Sequence, residues 1–301
     1  MQFGKVDDTN GIDFNQPKDH PETKKVLGGK EAKKLNIYIG CAKWNKTDLK
    51  NFYPKGTKDL ALYYSSQFNS IEFNASFYGN YSKSDFEKWR EKTDSDFKFF
   101  PKVRNTISHL KRLNDVKNLT EEFCNSVSGL EEKLGMVFLQ MIDNFKPKDY
   151  DRLEKFVLEF PKETPLAIEL RNEEWFSDKT VSDKVCKLFR ENKVTNIIVD
   201  TAGRRDIIHM RLTTPVAFVR YVGANNETDY TRLDTWVERI NAWKKQGLKE
   251  LYFFIHQNEE VESPLIAADF IKKLNKKLKV NLKIPKSIEP KKNTKQANLF
   301  E

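Results

Sequence analysis

PLAIELR at residues 165–171, SDKVCKLFREN at 182–192 and TNIIVDT at 195–201 follow one another closely. The outer two are short runs rich in aliphatic and β-branched residues, and the middle one carries apolar residues at helical spacing, so the stretch reads strand, helix, strand. Strands joined through a helix lie parallel, so a βαβ unit is expected.

The same alternation extends in both directions. LNIYIGC (35–41), SIEFNASF (70–77), FKFFPKV (97–103) and GMVFLQM (135–141) precede the unit, and VAFVRYV (216–222) and ELYFFIH (250–256) follow it. Helical patterning fills gaps at 60–68, 86–92, 150–160 and 233–247. Eight such strands predict an α/β fold, a single (β/α)8 TIM-like barrel over 35–280, with a doubly wound open sheet as the alternative. The length of 301 residues suits one barrel with tails. Residues 1–34, broken by Gly28-Gly29, read as a flexible or loosely docked leader, and 281–301 as a basic tail. Residues 201–215 are too short for a full helix, whereas the loop 104–113 has room for extra structure.

Composition narrows the class. Twenty-two Phe, 10 Tyr and 5 Trp can build a core, which excludes global disorder. No run of about 18 apolar residues is present and the N-terminus is polar, so a membrane span and a secretory signal are not expected. Three widely spaced cysteines suggest neither a disulfide framework nor a metal knuckle, and a cytoplasmic setting is the simplest one. A net charge of +9 permits nucleic-acid binding without diagnosing it.

Strand parity points to the chemistry, because alternate side chains face opposite ways. Ile71 and Phe73 oppose Glu72 and Asn74; Ile168 and Leu170 oppose Glu169 and Arg171; Ile197 and Val199 oppose Asp200; Val219 and Tyr221 oppose Arg220; Phe253 and Ile255 oppose His256. Lys98 and Lys102, and Gln140, extend the theme to two more strands. The expectation is an apolar face packed on helices and an inner face that turns polar at the C-terminal strand ends, where barrel active sites lie. Glu72, Glu169, Asp200 and His256 are the candidate catalytic groups, either as acids and bases or as ligands of a divalent metal ion that activates water. Lys102, Arg171 and Arg220 would hold an anion. The same acids and arginines also suit a buried ion-pair network that only fixes the interior. Cys41 shares its face with Ile37 and Ile39 and is expected to be packed rather than reactive. Aromatic rings near the mouth, among them Trp44, Tyr78 and Trp175, could stack on bases or sugars or form core beneath the loops.

IGCAKW (39–44), FYPKG (52–56), FNSIEFNASFY (68–78), FKFFPKV (97–103), AIELRNEEWF (167–176), VDT (199–201) and FVRYVG (218–223) resemble, in order, the signatures of the domain of unknown function 72 family. The resemblance covers roughly residues 35–275 and implies a TIM-barrel-like fold without a settled activity. It carries over Gly40, Trp44, Tyr53, Pro54, Glu72, Asn74, Phe77, Tyr78, Lys102, Glu169, Arg171, Trp175, Asp200 and Arg220. Two departures stand out: Arg220 is followed by Tyr221, Val222 and Gly223 where the family commonly has Leu-His-Gly, and the last strand ends in His256-Gln257-Asn258 where an amide pair is common.

The tail ends in Gln296, Ala297, Asn298, Leu299 and Phe300 after a Lys-rich linker. Gln296, Leu299 and Phe300 resemble the bacterial sliding-clamp-binding peptide, with Ala297 as a departure, which implies a clamp as partner and DNA as context. Together these features lead to the expectation of a phosphoester hydrolase or nuclease acting on nucleic acid or a nucleotide-derived anion. Glu72, Glu169 and Asp200 would act on the substrate, Asn74, Lys102, Arg171 and Arg220 would bind it, and Trp44, Tyr78 and Trp175 would line or cap it. The alternatives are a non-catalytic nucleic-acid or clamp adaptor and a small-sugar or carboxylate enzyme unrelated to nucleic acid.

Overall fold

The computed structural model describes residues 3–286. All eight expected strands form: β1 (Asn36–Cys41), β2 (Ser70–Phe73), β3 (Lys98–Pro101), β4 (Val137–Gln140), β5 (Leu166–Glu169), β6 (Thr195–Thr201), β7 (Val216–Gly223) and β8 (Glu250–Gln257). Every ladder between them is parallel. Six strands make one curled sheet in the order β1-β8-β7-β6-β5-β4, and β2 pairs with β3 in a second.

The two seams between these sheets are joined by other means. Between β3 and β4 the Val103 N–H donates to the Phe138 carbonyl and Gly135 N–H to Phe99, both at 2.9 Å. Between β1 and β2 side chains replace the ladder: Asn69 accepts from Ile39 N–H at 2.9 Å and donates to the Ile37 carbonyl at 2.8 Å, while the Tyr64 hydroxyl accepts from Cys41 N–H at 2.7 Å. Gly40 lies so close to the Ser70 carbonyl that a Cβ there would collide with it.

Local chemistry sets the helix limits. Asp178 caps helix Lys179–Glu191 by accepting from Val181 N–H, and Gly247, with a φ of 118°, ends helix Thr228–Gln246 in a left-handed turn. After β2 the chain turns helical at Ala75–Tyr78, ending the strand four residues earlier than its sequence pattern suggests; the Ser76 hydroxyl, which donates to the carbonyls of Phe73 and Lys102, holds that turn. The loop after β3 carries a π-helical turn, Thr106–Leu110, and helix Lys117–Val127, and a 3-10 turn, Ala202–Ile207, follows β6.

Residues 3–34 are tied to the rest of the fold: helix Pro21–Leu27 forms, His20 N–H donates to the Met210 carbonyl, the Trp243 indole donates to Asp19 at 3.0 Å, and Gly203 N–H donates to Gly4 at 3.0 Å. Arginines already in the fold, Arg205 and Arg239, supply further donors to this segment, which explains how a polar stretch without periodicity is tied down. The inner face is also apolar at its lower level, where Phe100, Phe138, Ala167, Ile197, Phe218 and Phe254 pack together. Ile197 and Val199 therefore point inward, opposite to the expectation, and Asp200 points outward.

Candidate functional site

Above that apolar layer the inward positions become polar. Arg220 on β7 donates from Nε and a terminal nitrogen to the two oxygens of Glu72, both at 2.8 Å, and from its other terminal nitrogen to Glu169 at 2.6 Å. Arg171 donates to the second Glu169 oxygen at 2.5 Å. His256 Nε2 stands 3.0 Å from Glu72 and its Nδ1 3.6 Å from Glu260, and Asn74 donates to Glu72 at 2.9 Å. Residues on or just after β2, β5, β7 and β8 thus meet in one network in which the Glu72 and Glu169 carboxylates are fully buried. Of the ion-pair network expected among Glu169, Arg171, Asp200 and Arg220, the two arginines and Glu169 meet here and Asp200 does not.

Lys102 is different. Its ammonium donates to the neutral Oε1 of Gln140 at 2.7 Å and lies 4.2 Å from the centre of the Phe77 ring. A cleft of about 310 Å3 opens over it, lined among others by Lys43, Asn74, Tyr78, Lys102, Arg171 and His256. Phe3 also lines it, its ring 3.6 Å from the Arg171 guanidinium carbon.

Burial and charge set the protonation states in opposite senses. Burial opposes ionisation of Glu72, but Arg220 and His256 outweigh it and hold the carboxyl well below its usual value. Against the same burial, Arg220 and Arg171 hold Glu169 down at about 2. Desolvation disfavours a charged His256, yet Glu72 and Glu260 raise its pKa above that of an ordinary histidine. For Lys102, burial and the neighbouring Arg220 act together and bring the pKa down to about 7.

Several expected site residues lie elsewhere. Asp200 accepts from Arg232 at 2.7 Å and from the Trp236 indole at 2.7 Å, and it pairs with Arg205, all on the outer face. Trp44 packs edge-on against Phe73 and Phe99 in the outer core. Trp175 is fully buried, with its indole donating to the Phe145 carbonyl at 2.8 Å. Neither tryptophan caps the cleft. Tyr78 does reach it and is 72% exposed. Cys41 is buried, which pushes its thiol well up. Without Asp200 the proposed ligand set for a divalent metal is broken, and among the described residues no group of three or more His, Cys, Asp or Glu is placed to hold such an ion. Gln296, Leu299 and Phe300 lie outside the described residues. Phe3, Lys43 and Glu260 were not legible as site residues; only Glu260, four residues after His256, carried a spacing signal.

No helix among the described residues is long and apolar enough to cross a membrane. The chain is similar to the UPF0759 protein YecE of Escherichia coli (strain K12), 26% identical over 265 residues that cover 80% of this chain and 94% of YecE. It is similar also to the UPF0759 protein YunF of Bacillus subtilis (strain 168), 30% identical over 257 residues that cover 74% and 89%. Among solved structures, a DUF72 family protein from Thermotoga maritima superposes with a TM-score of 0.67 at 25% identity, covering 80% of this chain and 99% of that one. One from Enterococcus faecalis gives 0.64 at 20% identity, covering 82% and 98%. The profile described as "Protein of unknown function DUF72" matches residues 38–292, and the chain belongs to that family.

Proposed function

We propose that the cleft at the C-terminal strand ends is the acid–base pocket of an enzyme acting on a small organic anion, a phosphorylated or carboxylated compound. This reading takes the eight strands as one TIM-like barrel with its site at the mouth. The observation that carries it is the convergence of Lys102, Arg171 and His256 on one cleft of about 310 Å3, a volume that suits a single small ligand. Arg171 and Lys43 would hold the anion, while Lys102, with a pKa of about 7, would give and take a proton and His256, its pKa raised by Glu72 and Glu260, would act as an acid. Arg220 is a positioning residue here rather than the anion clamp, because Glu72 and Glu169 already occupy its donors.

The reading stands ahead of a metal-dependent nuclease because Asp200 faces away and the two remaining acids are neutralised by Arg220. The test is calorimetric titration with inorganic phosphate, sugar phosphates and short carboxylates in the presence of a chelator. Binding that weakens at least tenfold in Arg171→Gln is expected; a wild-type chain that binds none of them overturns the reading.

A second reading concerns recruitment. The terminal residues Gln296, Leu299 and Phe300 support docking of the tail in an apolar pocket of a sliding clamp, which would bring the protein to DNA in the cytoplasm.

A further inference from the structure

We propose that Lys102 is a nucleophile that forms an imine with a small carbonyl compound carrying a phosphate or carboxylate group. The inference rests on the anion-pocket reading and names the group that reacts there.

The partners of the lysine are the first argument. An interior lysine kept for structure beside two carboxylates would pair with one of them. Glu72 and Glu169 are bonded to Arg220 and Arg171 instead, and Lys102 is left with the neutral amide of Gln140. Lys133, the other lysine buried among the described residues, shows what a structural role looks like: its ammonium donates to the carbonyls of Arg90 at 2.6 Å and Thr93 at 2.7 Å and closes a helix end away from the cleft.

The surroundings of the amine are the second. Phe77 covers one side of Nζ, and burial together with the Arg220 and Arg171 charges disfavours the ammonium more than the Glu72 and Glu169 charges favour it. A desolvated lysine beside other cations keeps a useful fraction of neutral amine, the form that attacks a carbonyl. Its pKa of about 7 agrees with that geometry.

The third is the company it keeps in the cleft. Arg171 can receive the anionic end of the substrate, and His256, whose affinity for a proton Glu72 and Glu260 raise, lines the same cleft. The nitrogen lone pair adds to the carbonyl carbon as the C=O pair moves to oxygen, and one N–H proton passes from the nitrogen to that oxygen to give a carbinolamine. A proton from His256 lets the hydroxyl leave as water while the nitrogen lone pair forms the C=N bond, and the remaining N–H proton returns to His256. One water is released and nothing is oxidised or reduced.

The experiment incubates the full chain with pyruvate, glyoxylate or dihydroxyacetone phosphate and cyanoborohydride, then locates the reduced adduct by peptide mapping. The expected result is labelling of Lys102 at least tenfold faster than any other lysine, rising with pH through about 7 and slowed by inorganic phosphate. Lys102→Met and Lys102→Arg should lose that adduct; if neither folds, mapping on the wild-type chain decides alone. Labelling spread over surface lysines, or none at all, overturns the imine. Phosphate binding measured by calorimetry on the same sample separates the two ideas: binding without an adduct sinks only the imine, and absence of both sinks the anion pocket as well.

Discussion

Glu72 holds Arg220 through both its oxygens and His256 through one of them, so a single carboxylate positions both side chains and favours the protonated form of the histidine. Glu72→Gln should therefore lower the His256 pKa, read from the imidazole proton shifts across a pH titration. It should also lower stability in urea unfolding by about 3 kcal/mol, because the buried Arg220 guanidinium loses one of its two carboxylate partners. Glu169 titrates near 2 in the fold against 4.5 ordinarily. A carboxyl with a depressed pKa stabilises the fold above its unfolded value and loses that contribution as the pH falls through the folded one. The wild-type urea midpoint should thus drop more steeply than that of Glu169→Gln between pH 4.5 and 2; parallel curves would refute the pairing. Asp200→Asn is the control for placement: it should destabilise the protein by about 3 kcal/mol by weakening the hold on buried Arg232, yet leave phosphate affinity unchanged by calorimetry.

At the scale of elements, the β1–β2 seam depends on Gly40, Asn69 and Tyr64 rather than on a ladder. Gly40→Ala should lower the melting temperature markedly, since the intruding methyl meets backbone and not a mobile side chain. The N-terminal segment makes a comparable prediction. Removing residues 2–20 deprives Arg205, Arg239 and Trp243 of partners and takes Phe3 from the cleft, so scanning calorimetry should show a lower melting temperature and titration a changed phosphate affinity. An unchanged melting temperature would mean that these bonds carry no net stability. The eight strands and their order were legible because each is a short apolar run between turn signals. The docking of residues 3–34 was not, because its bonds run to arginines about 190 to 220 positions away in the chain.

At the scale of the molecule, the proposed clamp docking of Gln296, Leu299 and Phe300 can be tested apart from the cleft. The peptide from Lys291 to Glu301 should bind a bacterial sliding clamp in calorimetry, with loss of binding when Leu299 and Phe300 become Ala; no heat from the wild-type peptide would remove the clamp as a partner. What the sequence alone determined was the alternation of strand and helix, the family, and the inward side of Glu72, Lys102, Glu169, Arg220 and His256. Parity within each strand and the polarity of those residues are local properties. What only the tertiary structure decided was which acids share a site and what stands over it. Strands covered on both sides are apolar on both faces, so the pattern in β6 could not tell whether Asp200 turns in or out. Packing of Ile197 and Val199 against Phe218 and Phe254 resolved it, leaving Asp200 to Arg232 and Trp236 on the outer face. Trp44 and Trp175 went to the core for the same reason, since large rings gain most where helices can cover them. The pairing of Arg220 with both glutamates, which leaves Lys102 to a neutral amide, likewise depends on distances across the sheet that no single strand encodes.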